Sequence, residues 1–183
     1  MIIDCHGHYT TEPADLHRFR KDQVDNVKDP SKQPPKSSLK VSDDEIRESL
    51  EGASADLRRQ GIELTLREGT LPSIHGSRAP LAHAFSNIVS NAIEAMPQGG
   101  RLRIESRTTD NGSIEIAIED TGVGMPARVA RRAFRPLFTT KPNGVGLGLS
   151  LARRIVERHA GRIDLDSVAG CGTRVVLTLP TGA

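Results

Sequence analysis

Residues 134–150 read FRPLFTTKPNGVGLGLS. Its three alternating glycines, Gly144, Gly146 and Gly148, disfavour both a regular helix and a regular strand. They leave backbone N–H groups free at the start of a helix predicted over about 147–159, and such a helix N-terminus attracts phosphate. Lys141, just upstream, adds a positive charge for a terminal phosphate. The stretch therefore predicts a phosphate-binding loop, against the alternative of an ordinary glycine-rich loop.

Two better-known glycine motifs do not fit this stretch. The pattern G-x-x-x-x-G-K-[ST] is absent from the chain. The dinucleotide fingerprint G-x-G-x-x-G requires a strand directly before it, and here the third glycine comes one residue too early. A different class of nucleotide site is therefore indicated.

Upstream of this loop, residues 120–126 read DTGVGMP and directly follow a predicted strand. A carboxylate at a strand end, here Asp120, can accept a hydrogen bond from an exocyclic amine such as adenine N6. Gly122 and Gly124 would let the backbone approach a planar ligand. The alternative is an ordinary Asp-Gly turn leaving a strand.

Further upstream, a predicted helix over about 80–96 has a buried face beside a polar stripe. Asn87, Asn91 and Glu94 fall within roughly 60° of one another on that helix. These residues could be ordinary solvent-facing side chains, but asparagine is a poor residue inside a helix because it competes for backbone hydrogen bonds. Amide oxygens are suited to Mg²⁺ that also keeps water and phosphate ligands.

The remaining pattern predicts an α+β two-layer sandwich. Helices are expected over 42–60, 80–96 and 147–159, with a short helical piece near 126–134. Strands are expected over 62–66, 101–107, 113–119, 162–166 and 173–179, the second and third joined as a hairpin. Ser42 is predicted to cap the first helix, and Gly161 to close the last one. Residues 21–40 are rich in Lys, Asp, Pro and Ser and are interpreted as a linker.

Composition excludes several functions. Aromatic residues make up 3% of the chain and the net charge is +2, which argues against base stacking and against a general nucleic-acid surface. No apolar run is long enough to span a bilayer, so no membrane contact is expected. The N-terminus lacks the pattern of a signal peptide, and a cytoplasmic location is expected.

The motifs occur in one order, and together they resemble the ATP-binding domain of sensor histidine kinases. That domain belongs to a wider group with type II topoisomerase and Hsp90 ATPases. Residues 87–92 resemble its N box, 120–124 its G1 box, 134–138 its F box and 144–148 its G2 box. Gly172-Thr173 resembles its final glycine motif, and 136–161 is especially similar to the nitrogen-regulation type of kinase. The resemblance covers about 40–183 and implies a Bergerat-type sandwich with a mixed, mostly antiparallel sheet and helices on one face.

That resemblance implies that the chain would bind ATP with Mg²⁺ and transfer the γ-phosphate to a histidine. Asn91 would coordinate the metal, Asp120 would bind the adenine amine, and residues 139–146 would be a mobile lid. The related ATPases carry a glutamate general base at the position of Asn87, and an amide cannot take that proton, so hydrolysis should be slow. The residues expected to act at the γ-phosphate are Asn87 and Lys141. The full set expected to bind ATP is Asn87, Asn91, Glu94, Asp120, Gly122, Gly124, Met125, Phe138, Thr139, Thr140, Lys141, Gly144, Val145, Gly146, Leu147, Gly148 and Thr173.

The chain departs from the family before residue 40. None of its six histidines has the surround of a phosphoacceptor, so the acceptor domain and the response regulator are expected in trans. Residues 1–11, MIIDCHGHYTT, resemble the start of metal-dependent amidohydrolases, in which an H-x-H supplies metal ligands. A barrel of that kind needs about 250 residues. Residues 1–39 are therefore interpreted as a poorly ordered remnant and linker, where His6 and His8 have at most an incidental metal role.

Three other functions stay open at this point. A serine kinase of the anti-sigma-factor type shares the expected fold and usually lacks the histidine domain. A non-catalytic ATP-binding module would bind the nucleotide without transferring phosphate. A working amidohydrolase is the least favoured, because two imidazoles leave a divalent site short of ligands.

Overall fold

A five-stranded sheet and a layer of helices make up most of the region that the structure describes. The structure is a computed structural model that describes residues 38–40, 43–142 and 144–181. In chain order the elements are β1 (Ser38–Lys40), α1 (Asp43–Gln60), β2 (Ile62–Arg67), β3 (Ser73–His75), α2 (Arg78–Glu94), β4 (Gly100–Thr108), β5 (Ile114–Asp120), α3 (Ala127–Ala130), α4 (Gly148–Arg158), β6 (Arg162–Val168) and β7 (Gly172–Leu179).

The main sheet has the strand order β2-β4-β5-β7-β6. The pair β2·β4 is parallel, and the other three pairs are antiparallel. The register places Asp120, the last residue of β5, opposite Thr173 of β7. The sequence motifs at 120–124 and 172–173 therefore meet at one edge of the sheet, and the predicted mixed, mostly antiparallel sheet is confirmed.

The core lies between this sheet and the helices. From α2 it takes the apolar face that includes Phe85 and Ile88, and from the sheet it takes the inward residues that include Ile104, Ile116 and Leu177, all nearly inaccessible to solvent. Burying one side chain of this size stabilises the fold by about 1.5–3 kcal/mol. Because the opposite flank of α2 carries Asn87 and Asn91, packing the apolar face presents those amides to one side of the helix layer.

The predicted elements are confirmed, with shifts of one or two residues at most ends. The exception is the short helical piece near 126–134, because only Ala127–Ala130 is helical. The sequence pattern did not predict the two-stranded sheet of β1 and β3, in which Ser38 pairs with His75. Each strand has three residues, too few to show an alternation.

The C-terminus of α4 differs from the prediction. The left-handed residue there is Ala160, with a φ of 55°, rather than Gly161. Gly161 is instead where the chain approaches β7 closely, because a Cβ at that position would lie 2.6 Å from the carbonyl oxygen of Thr178. The predicted cap Ser42 and residues 1–37, with His6 and His8, lie outside the described residues.

Candidate functional site

A cavity of about 740 Å³ opens between α2, the ends of β5 and β7, and the loop that precedes α4. Of the residues that the sequence predicted to bind ATP, all line this cavity except Gly122. Gly122 is buried behind the lining, where its N–H donates to the Asp120 carboxylate at 2.9 Å. The structure thus brings together motifs that span more than 80 positions of the sequence.

The Asp120 carboxylate is held from one side only. Its Oδ1 accepts hydrogen bonds from the N–H groups of Gly122, at 2.9 Å, and Thr173, at 3.2 Å. Among the described residues Oδ2 has no hydrogen-bond partner and stays available to a ligand in the cavity. Burial raises the pKa of the Asp120 carboxyl, the two N–H donors lower it, and the nearby Glu119 charge raises it, with a net shift upward.

The turn after Asp120 is clamped by neighbouring elements. Val123 donates its N–H to the carbonyl of Ala95 at 2.9 Å, and its own carbonyl accepts from Gly170 at 2.8 Å. Gly124 has a φ of 59°, and a Cβ there would lie 2.0 Å from the carbonyl oxygen of Val168. A side chain at 124 therefore cannot be accommodated without moving the β6–β7 turn.

A chain of hydrogen bonds supports the cavity behind this turn. The Ser167 hydroxyl accepts from the Met125 N–H at 2.8 Å and donates to the carbonyl of Gly172 at 3.0 Å. It also lies 2.9 Å from the Thr173 hydroxyl. Met125, Thr173 and Asp120 are thereby fixed in relation to one another, and no sequence pattern predicted the part that Ser167 plays.

The polar stripe of α2 forms the opposite wall of the cavity. The Asn91 side-chain N–H donates to the Asn87 carbonyl at 2.8 Å, and Asn87 Nδ2 is buried with no partner among the described residues. The Ser90 hydroxyl donates to Glu94 Oε1 at 3.1 Å. Two oxygens, Asn91 Oδ1 and Glu94 Oε2, are directed at the same point in the cavity.

Lys141 occupies that point. Its Nζ lies 2.8 Å from Asn91 Oδ1 and forms an ion pair with Glu94 Oε2. Burial raises the pKa of Glu94. The hydrogen bond and charge of Lys141, together with the Ser90 hydroxyl, lower this pKa by more than burial raises it, so the net shift is downward. Lys141 was predicted to bind phosphate and Asn91 to coordinate the metal, and no sequence pattern predicted that the two side chains are in contact.

The loop that closes the cavity begins at Phe138. One face of the Phe138 ring carries the Arg132 guanidinium, 4.4 Å from the ring centroid. Gly146 has a φ of 73°, and a Cβ there would lie 2.7 Å from the Phe138 nitrogen. Leu137 is left-handed at a φ of 61° and is 72% exposed, so this corner contains a strained apolar residue that faces solvent.

Apolar residues that the sequence motifs did not single out complete the lining. They suit a planar ring, because they are aliphatic side chains from α2 and the sheet and give the cavity an apolar wall. Their signal in the sequence was core periodicity alone. The principal ones are Ile88, Ala92, Ile118, Leu165 and Val175.

Among the described residues, no group of three or more His, Cys, Asp or Glu side chains could hold a metal ion. A cation at this site would therefore depend on amide and phosphate oxygens as well as on a carboxylate. Within the same part of the chain, no helix has the length and apolar character needed to cross a membrane.

Comparison with known proteins identifies relatives of this region. Residues 76–183 match the family described as histidine kinase-, DNA gyrase B- and HSP90-like ATPase. Sporulation kinase E of Bacillus subtilis (strain 168) is 37% identical over 131 residues, which are 72% of this chain and 18% of that protein. The sensor protein TdiS of Thauera aromatica is 34% identical over 141 residues, 74% of this chain and 26% of that protein. The chain thus spans less than a third of the length of these curated relatives.

Solved structures give the same picture. The catalytic domain of histidine kinase ThkA, in a nucleotide-free form, superposes with a TM-score of 0.70 at 26% identity, over 79% of this chain and 95% of that one. A mycobacterial sensor histidine kinase, MprB, superposes with a TM-score of 0.67 at 30% identity, over 75% of this chain and 92% of that one.

Proposed function

The chain belongs to the family of histidine kinase-, DNA gyrase B- and HSP90-like ATPases, as a catalytic domain of the histidine kinase type, and we propose that it binds Mg²⁺-ATP and transfers the γ-phosphate to a histidine supplied in trans. The observation that carries the proposal is the one-sided fixation of Asp120. Its Oδ1 is engaged by two backbone donors while Oδ2 is left for a ligand.

Asp120 would select the base by accepting a hydrogen bond from the adenine N6 amine. A charged acceptor makes this bond stronger than a neutral one would. The ring would lie against the apolar lining, with Gly124 giving the backbone close access on one side. Met125 and Thr173, tied together through Ser167, would complete the base end of the site.

The other end of the cavity would hold the phosphates and the metal. Asn91 Oδ1 is oriented into the cavity and already binds one cation, the Lys141 ammonium, so its geometry and chemistry fit Mg²⁺. When bound, Mg²⁺ would offset negative charge on the phosphate oxygens. Thr139, Thr140, Lys141 and the backbone of 144–148 would contact the phosphates, with Gly148 at the N-terminus of α4.

Asn87 distinguishes transfer to a side chain from hydrolysis. An amide at this position cannot accept a proton from water, whereas a histidine imidazole is a nucleophile without a base on this domain. The imidazole nitrogen would bond to the γ-phosphorus as the bond to the bridging oxygen breaks and ADP leaves. The domain's residues would contribute positioning and charge stabilisation.

The partners follow from this chemistry. They would be ATP, a phosphoacceptor histidine domain and a response regulator, met in the cytoplasm, with no nucleic acid and no membrane contact. Residues 1–39 would take no part in the reaction. We retain the proposal that they are a remnant and linker.

Calorimetry at fixed Mg²⁺ tests the nucleotide site, on the wild type and on Asp120→Asn. The expected result is micromolar-range ATP binding that falls at least about tenfold in the variant, because one charged hydrogen bond is lost. Equal ATP affinity in the two folded proteins would refute the assignment. ATP binding without phosphotransfer to any added histidine domain would leave a non-catalytic module, and acid-stable phosphoprotein would indicate a serine kinase.

A further inference from the structure

The contact between Lys141 and α2 joins the loop over the cavity to the polar stripe. In sequence, Lys141 is 50 positions from Asn91 and 47 from Glu94. Its ammonium is nevertheless bound by Asn91 Oδ1 and Glu94 Oε2 together. These two oxygens are at the end of the cavity that the proposed function assigns to the metal.

Glu94 is held in its charged form by this arrangement. One carboxylate oxygen accepts from the Ser90 hydroxyl and the other pairs with Lys141. Both carboxylate oxygens thus face a donor or a positive charge, which favours the ionised carboxylate. A divalent ion that approached Asn91 Oδ1 would meet the lysine ammonium at the same oxygens, and two cations cannot share them at contact distance.

The ion pair is weak enough to exchange. The side chains of Lys141 and Glu94 are 43% and 51% exposed, and pairs this exposed contribute little to stability. The Lys141 backbone is separately fixed by its N–H, which donates to the Thr139 hydroxyl at 3.0 Å. The ammonium can therefore leave Glu94 without unfolding the loop around it.

We propose that Lys141 is an internal, exchangeable cation that latches the loop onto α2 until metal-bound nucleotide replaces it. This inference rests on the proposed function, which assigns Asn91 Oδ1 to the metal, and it adds Glu94 Oε2 because that oxygen binds the same ammonium. Occupation of Asn91 Oδ1 and Glu94 by the metal releases the ammonium, which then meets the phosphate that arrives with the metal. Metal binding and release of the loop from α2 thereby occur together. Glu94 then favours binding of the nucleotide with its metal over binding of the nucleotide alone.

Manganese binding without nucleotide tests the exchange, followed by the electron paramagnetic resonance of free Mn²⁺. Lys141→Gln is expected to bind Mn²⁺ several-fold more tightly than the wild type, and the double variant Lys141→Gln/Glu94→Gln is expected to lose that gain. Arg131→Gln is the matched control, because it removes one positive charge from an exposed side chain without an ion pair among the described residues. Equal Mn²⁺ affinities for Lys141→Gln and Arg131→Gln would overturn the proposal.

Hydrogen exchange of peptides covering 139–147, again without nucleotide, tests the latch itself. Exchange should be faster in Glu94→Gln and in Lys141→Gln than in the wild type. The double variant should exchange no faster than either single variant, because both changes break the same contact. Unchanged or additive exchange rates would contradict the latch. Neither readout uses ATP, so failure of the wild type to bind ATP would reject the proposed function while these measurements still decide the latch.

Discussion

The side chain of Asn91 is oriented by the backbone of Asn87, whose carbonyl accepts from Asn91 Nδ2 at 2.8 Å. The amide therefore has one possible orientation, with its nitrogen on the helix and its oxygen in the cavity. One turn of α2 thus supplies both the ligand atom and the bond that aims it. The bond uses the backbone carbonyl of Asn87, so it accounts for the orientation of Asn91 and does not depend on the side chain at position 87.

Removing that oxygen should separate two parts of nucleotide binding. In Asn91→Ala we expect the Mg²⁺-dependent part of ATP affinity to fall about tenfold or more, while affinity without Mg²⁺ changes little. Titration of ATP with and without Mg²⁺ measures both. A uniform loss in the two conditions would assign Asn91 to the fold or to the base rather than to the metal.

The raised pKa of Asp120 predicts an acid-dependent stability. A carboxyl whose pKa is higher in the folded than in the unfolded chain stabilises the fold at low pH, and this stabilisation is lost as the pH rises through the folded pKa. Asp120→Asn does not titrate and keeps an oxygen that can accept from Gly122 and Thr173. The melting temperature of the variant minus that of the wild type should therefore increase as the pH rises above about 3.9, the ordinary value for an aspartate, and through the higher folded pKa.

A constant difference in melting temperature across that range would contradict the raised pKa. Nucleotide affinity should show the complementary trend. As the pH falls through the folded pKa, wild-type Asp120 takes up a proton and loses charged acceptance of the adenine amine, so ATP binding weakens.

Asn87→Glu should increase the rate at which the domain hydrolyses ATP. It places a carboxylate where the amide stands, and a positioned general base is worth about 10²–10⁴-fold in related reactions. The expected outcome is phosphate release faster than in the wild type at saturating ATP. Ser86→Glu, exposed on the same helix and absent from the cavity lining, is the control. If both variants bind ATP and release phosphate at the wild-type rate, the reading of Asn87 is wrong.

Two glycines with positive φ offer a matched pair for the base pocket. A Cβ at Gly124 would lie 2.0 Å from the Val168 carbonyl oxygen, whereas one at Gly170 would meet nothing within 4 Å. Both alanine variants incur left-handed strain of about 1–2 kcal/mol. Only Gly124→Ala should also lower ATP affinity, measured by calorimetry beside the melting temperature. Similar affinities in the two folded variants would show that the close approach at 124 has no part in binding.

Much of this arrangement could be predicted from sequence because its signals are local. The periodicity of α2 and the glycines after Asp120 each specify a short segment without reference to the rest of the chain. The contact of Lys141 with Glu94 could not be predicted in this way, since it depends on the tertiary fold that brings together two residues 47 positions apart. The support from Ser167 was missed for the same reason, because a serine in a strand is ordinary until its neighbours are known.

The hydrogen bond from Thr173 to Asp120 spans 53 positions of the chain and exists only when β7 lies beside β5. The hairpin of β4 and β5 can form early from local contacts, but it cannot by itself hold the carboxylate in place. Nucleotide should therefore recognise only the completed sheet and have no affinity for a partly assembled chain. Because nucleotide would bind the folded chain and not the partly folded one, it would raise the melting temperature by mass action.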